Sequence, residues 1–142
     1  MKILFLTFYF EPDLCAGSFR NTPLFRELLQ QMDEKDWIHV ITTQPNRYHS
    51  FHVEGQAREI SDNYRIDRIR VPEHKSGFID QVRSFRVFYN EALRLAGKER
   101  YDLVYASSSR LFTAFLGRRI AGKQRIPLYL DIRDIFVDTI KD

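Results

Sequence analysis

Five short apolar segments rich in β-formers alternate with segments of helical periodicity along these 142 residues, and this alternation constrains the fold more than any other feature of the chain. Ile3 to Tyr9 runs almost continuously apolar, as a strand covered on both faces does. Trp37 to Thr43 predicts a second strand, stopped by Gln44-Pro45-Asn46. Tyr64 to Val71 alternates Ile66, Ile69 and Val71 with charged residues and reads as a shorter, more exposed strand near a sheet edge. Tyr101 to Ala106 and Pro127 to Ile132 complete the set. Between them, Phe19, Leu24, Phe25, Leu28, Leu29 and Met32 fall at helical spacing, Phe78 to Ala96 forms a long amphipathic helix ended by Gly97, and Leu111 to Ala121 forms one closed by Gly122. The first helix starts either with Ser18 as its cap or with Thr22 as its cap and Pro23 as its first residue. Arg47 to Asp62 shows no periodicity.

Strands that alternate with helices are joined by right-handed crossovers, so the expected architecture is α/β: a Rossmann-like three-layer sandwich around a mainly parallel sheet. The length suits one domain, residues 1–142, with no linker or repeat. Cys15 is the single cysteine, which excludes an intrachain disulfide and a multi-cysteine zinc site and fits a reducing compartment. Aromatic residues make up 14%, more than filling the centre of one domain requires, so some of them are expected to line a cleft or an interface. A net charge of +3 favours anionic partners only mildly, and no nucleic-acid-binding module accompanies it. No apolar run approaches the roughly 20 residues that span a bilayer. Ile3 to Phe10 imitates the core of a signal peptide, but Glu11-Pro12-Asp13 stands where a small-residue cleavage site belongs, and a cytoplasmic location is expected.

If the first three strands wind outward and the fourth returns to the other side of the first, ligands bind where the order reverses. That places Phe10 to Gly17, Ser107 to Arg110 and Asp131 to Asp134 around one candidate site. Gly17 and Ser18 either bring backbone amides to an anion, with Arg20 adding charge, or serve only the tight turn into the helix. No G-x-G-x-x-G accompanies them, which argues against a dinucleotide site. Ser107 and Ser108 either face a ligand or cap the next helix. In the cluster Asp131-Ile132-Arg133-Asp134, Asp134 can act as a general base, with Arg133 neutralising a phosphate or holding Asp134 ionised; the alternative is a structural ion pair. His39, His49, His52 and His74 support neither a Ser-His-Asp triad nor a metal site. Lys75, Arg83, Arg86 and Arg94 lie on or near the long helix with Phe78, Phe85 and Phe88, a mixture found either at membrane surfaces or on a buried stripe with a solvated face.

Lys2 to Tyr9, Glu11-Pro12, Ala16-Gly17-Ser18 with Arg20, Tyr101 to Ser108, and Pro127 through Asp131-Ile132-Arg133-Asp134-Ile135-Phe136 together resemble the N-terminal half of a GT-B glycosyltransferase of the retaining family 4 type. The resemblance implies an acceptor-side domain of an enzyme that transfers a sugar from a nucleotide-sugar donor to a polysaccharide or lipid-linked glycan acceptor. It implies no metal and no cofactor, the sugar nucleotide being a substrate, and it allows peripheral contact with the inner face of the membrane. By the same resemblance Gly17 approaches the donor diphosphate, and the histidine that the family often carries after the fifth strand falls on Arg133, followed by Asp134. The family's bulky residue and proline fall on Phe136 and Val137. A donor-binding C-terminal domain with paired glutamates is absent from these residues, so the chain alone is expected to transfer no sugar. The alternative from another class is a non-catalytic Rossmann-like binding or scaffold module.

Overall fold

The computed structural model describes residues 1–46, 53–72, 78–108 and 111–133. In chain order these form β1 (Lys2–Leu6), α1 (Ala16–Gln31), β2 (Trp37–Thr43), β3 (Arg58–Ile60), β4 (Tyr64–Ile69), α2 (Phe78–Ala96), β5 (Leu103–Ser107), α3 (Leu111–Gln124) and β6 (Leu128–Asp131). The six strands make one sheet in the order β3-β4-β2-β1-β5-β6, parallel throughout except for β3, which runs antiparallel to β4. The order reverses between β1 and β5, as the sequence predicts.

Strand alternation sends Ile3, Phe5, Ile38, Val40, Ile66 and Tyr105 to one face, where Phe25, Leu24 and Leu28 of α1 cover them. Leu4, Leu6, Ile41, Val104 and Ala106 point the other way, against Phe88, Ala92 and Leu95 of α2 and Leu116 and Ile120 of α3. Each face has its own core, which is why β1 carries no polar position between Ile3 and Leu6. Gly117 permits the close approach of α3 to the sheet, because a Cβ there would lie 2.7 Å from the Ala106 Cβ and 3.2 Å from Leu128 Cδ1. The Gly117→Ala variant should lose about 1–3 kcal/mol through overpacking, read as a lower urea midpoint at unchanged slope.

Several boundaries differ from the sequence reading. The first strand ends at Leu6, and Thr7 to Phe10 continue as buried loop. Helix α1 starts at Ala16 with extended Cys15 as its cap, earlier than either Ser18 or Thr22 would place it. Thr22 instead sits inside the helix, where its hydroxyl accepts the Glu11 N–H at 3.2 Å, and Pro23 lies in the helix interior, where it leaves one helical hydrogen bond unmade. The stretch without periodicity contains β3, so β4 is not the sheet edge, and Asp67 and Arg68 of β4 are buried. Gly122 is interior to α3. That helix closes two residues later through the Ile126 N–H to Ala121 carbonyl bond (3.0 Å), with Arg125 at φ 58° in the left-handed position usually taken by glycine.

Candidate functional site

The loop after β1 is fixed from several sides before it reaches α1. Glu11 and Pro12 form a turn closed by the Asp13 N–H to the Phe10 carbonyl (3.0 Å). The buried Arg68 side chain donates from Nε to the Glu11 carbonyl (3.0 Å), and Thr43 donates its hydroxyl to the Phe8 carbonyl (2.6 Å). Arg26 pairs with Glu11 at 2.6 Å. Gly17 then packs on Tyr9, where a Cβ would lie 3.2 Å from the tyrosine Cβ, and Ser18 beside it is buried.

At the carboxyl ends of β1, β5 and β6 one polar network joins all three strands to α1. Its hub is Asn21, which is fully buried on the inner face of α1. The Asn21 amide donates to Thr7 Oγ1 (2.7 Å), to the Tyr9 carbonyl (3.3 Å) and to Ser107 Oγ (3.5 Å), and its Oδ1 accepts from Arg133 Nη2 (2.9 Å). Arg133 also donates from Nε to Asp131 Oδ2 (2.9 Å) and from its backbone N–H to Ser108 Oγ (3.0 Å). Asp131 takes two further donors, Arg20 Nη2 on Oδ1 (3.1 Å) and the Tyr105 hydroxyl on Oδ2 (3.0 Å). Burial, and then the neighbouring Asp131 carboxylate, push the Tyr105 phenol well up, so it stays a donor.

The structure therefore brings Arg20, Ser107, Ser108, Asp131 and Arg133 together, with Gly17 and Ser18 one turn from Asn21 on the same helix. Asp134 and Arg110 lie outside the described residues, as do His49, His52, His74 and Lys75. Arg133 makes its ion pair with Asp131 among the described residues. Ser108 uses its backbone N–H on the Asp131 carbonyl (2.9 Å) and its hydroxyl on Arg133. Asn21, Thr7 and Tyr105 were not anticipated. The available signal was a polar residue on the buried stripe of a helix, since Asn21 stands four residues before Phe25 and seven before Leu28.

Chemically, Asp131 with three donors on it is a positioning carboxylate. Two guanidinium groups converge on that single carboxylate, so the cluster carries one positive charge in excess and suits an anionic or hydroxyl-rich ligand. Among the described residues no three His, Cys, Asp or Glu side chains converge as a metal site would require.

No protein-family model matches the chain, and no curated protein matches it. Among solved structures it is similar to the C-terminal domain of PF1911 hydrogenase from Pyrococcus furiosus, at 11% identity and a TM-score of 0.60, over 92% of this chain and 90% of that one. A UGT transferase from Siraitia grosvenorii, solved in complex with UDP, aligns at 14% identity over 91% of this chain but only 27% of its own, with a TM-score of 0.47. This chain thus spans about a quarter of that transferase, and the likeness carries no argument about activity. What the likeness to the hydrogenase domain establishes is the fold: a mainly parallel, Rossmann-like α/β sheet flanked by helices.

Proposed function

We propose that this chain is the acceptor-side domain of a glycosyltransferase that moves a sugar from a nucleotide-sugar donor to a glycan or lipid-linked acceptor. The observation that carries the reading is convergence. The segments whose residues resemble the N-terminal half of GT-B enzymes, Ala16 to Arg20, Tyr105 to Ser108 and Asp131 to Arg133, are far apart in the chain and meet in one network at the switch point between β1 and β5. In this reading Arg133 and Arg20 face the charge that develops on the leaving diphosphate, Asp131 orients both, and a second Rossmann-like domain supplies most donor contacts. Asp134 remains the candidate base, with Ser107, Ser108 and Arg110 on the acceptor side.

Titration of the isotope-labelled chain with a panel of oligosaccharides and sugar nucleotides tests this by NMR. Amide shifts centred on Gly17, Arg20, Ser107, Ser108 and Arg133 are expected with an acceptor glycan, and no sugar transfer by this chain alone. Shifts confined to other surfaces, or none with any glycan or nucleotide, would leave the acceptor-side reading without support and favour a non-catalytic module.

A further inference from the structure

Eight of the fourteen described arginines are paired with a carboxylate, and four of the other six lie close together. Arg20, Arg26, Arg58, Arg65, Arg68, Arg70, Arg94 and Arg133 each hold a carboxylate. Arg83 and Arg86 of α2 and Arg118 and Arg119 of α3 hold none among the described residues, and all four are exposed on the outer faces of two neighbouring helices. These faces also carry several of the exposed large apolar residues. Ile79 is 81% exposed, Phe115 55% and Phe112 52%, with Val82 and Leu111 beside them in sequence. Phe112 lies 4.7 Å from the half-buried Phe85, and the Arg119 guanidinium sits 5.9 Å from the Tyr89 ring, so the two faces abut. A cleft of about 380 Å³ on α3 is lined by Phe115, Arg118, Arg119, Gly122 and Lys123, with no acidic residue among them.

We infer that the joint outer face of α2 and α3 docks on an anionic lipid bilayer. Unneutralised arginines are drawn to a negative surface, and exposed phenylalanine and aliphatic side chains beside them enter the headgroup region. Phe85 and Phe88 of α2, the aromatic part of the pattern visible in the sequence, belong instead to the core or its edge, and the inserting aromatics come from α3. Asp80 is the one acid in the first turn of α2, and Glu91 is neutralised by Arg94. Ile79, Val82 and Leu111 add exposed aliphatic surface on which no base stacks, so this face mixes aliphatic and aromatic groups as a bilayer-docking face does, rather than presenting a row of rings. Both helices run antiparallel to the strands, so their first turns, with Ile79, Val82, Leu111 and Phe112, lie at the same end of the sheet as Asp131 and Arg133. Docking stands without the acceptor-side reading; if that reading also holds, the bilayer brings a lipid-linked acceptor to the site.

Co-sedimentation of the chain with phosphatidylcholine vesicles, with and without phosphatidylglycerol, is the test. Binding is expected only to the anionic vesicles and should be released by salt. Each arginine near the surface contributes about 1 kcal/mol, so Arg118→Ala with Arg119→Ala should weaken partitioning roughly 25-fold, and Arg83→Ala with Arg86→Ala should act similarly. Unchanged circular dichroism separates this loss from unfolding. Equal binding to neutral vesicles, indifference to both double variants, self-association that masks the patch, or complete competition by an oligonucleotide would each overturn the inference. None of these outcomes touches the glycan titration, so the two readings fail separately.

Discussion

Removing the Asp67 carboxylate should destabilise the protein by about 3–5 kcal/mol, because it leaves two arginines and a histidine without their shared partner inside the sheet. Asp67 Oδ1 accepts from Arg58 Nε (2.6 Å), Oδ2 accepts from His39 Nε2 (2.8 Å), and Arg65 forms an ion pair with Oδ2 (2.9 Å). The Tyr101 hydroxyl donates to His39 Nδ1 (2.6 Å), which fixes the neutral tautomer, and Arg65 extends the network to Glu99 (2.6 Å), where Lys2 also pairs. His39 is fully buried, whereas Arg58 is half exposed and contributes little of the loss. Chemical denaturation of Asp67→Ala measures the effect, and a loss below about 1 kcal/mol would remove the network as a stabilising unit.

The same group gives stability a defined dependence on pH. Burial lowers the His39 pKa from 6.5 against the opposing bond to Asp67, so the unfolded chain takes up a proton on this residue before the native one does. Stability is therefore fully present above about pH 6.5 and is lost as pH falls below it. Burial pushes the Asp67 carboxyl up, but hydrogen bonds from His39 and Arg58 outweigh it and hold the group at about 2, from 3.8. Its contribution is present above 3.8 and disappears as pH falls toward 2. Both changes run in one direction, so the unfolding free energy should decline in two stages on the acid side. The curves of the wild type and Asp67→Ala should draw together as pH nears 2.

How much of this was legible follows from what each side chain meets. Buried parallel strands leave a near-continuous apolar signature, so β1, β2, β5 and β6 and their switch point were readable, as was α2, whose bounds match the predicted Phe78 to Ala96. In β4 alternating charges imply solvent, yet Asp67 and Arg68 meet residues of opposite charge on β3. Local pattern carries no record of such a partner. Three residues are too few for β3 to show a period. Pro23 signals a helix start only when nothing upstream has nucleated one; here the Phe19 N–H to Cys15 carbonyl bond (3.0 Å) already closes a turn. Strand-end position singles out Ser107, Ser108, Asp131 and Arg133, and the start of the first helix Arg20, and the structure brings these five together. Asn21 and Tyr105 stayed hidden because their roles depend on which strands become neighbours.

Arg133 and Asn21 should separate ligand function from folding. Asn21 is fully buried and bonds Thr7, the Tyr9 carbonyl, Ser107 and Arg133, so Asn21→Ala removes these bonds at once, leaving the Thr7 hydroxyl and the Tyr9 carbonyl bonded to each other, and should cost about 2–4 kcal/mol. Arg133→Ala removes a partly buried guanidinium; Asp131 keeps Arg20 and Tyr105 and only Asn21 Oδ1 loses its donor, so the stability cost should stay at about 1–2 kcal/mol. If the acceptor-side reading holds, sugar transfer by the complete enzyme should fall at least about a hundredfold in Arg133→Ala, the scale set by losing one fixed donor at developing charge. Arg133→Lys should not rescue it. The guanidinium bridges Asp131 with Nε and Asn21 with Nη2, and an ammonium cannot span both acceptors in one fixed plane. A lysine variant with wild-type transfer would reduce Arg133 to a point charge. An alanine variant that unfolds as readily as Asn21→Ala would instead make Arg133 part of the scaffold, and the strand-end network would then be a clamp between α1 and β6 rather than a binding site.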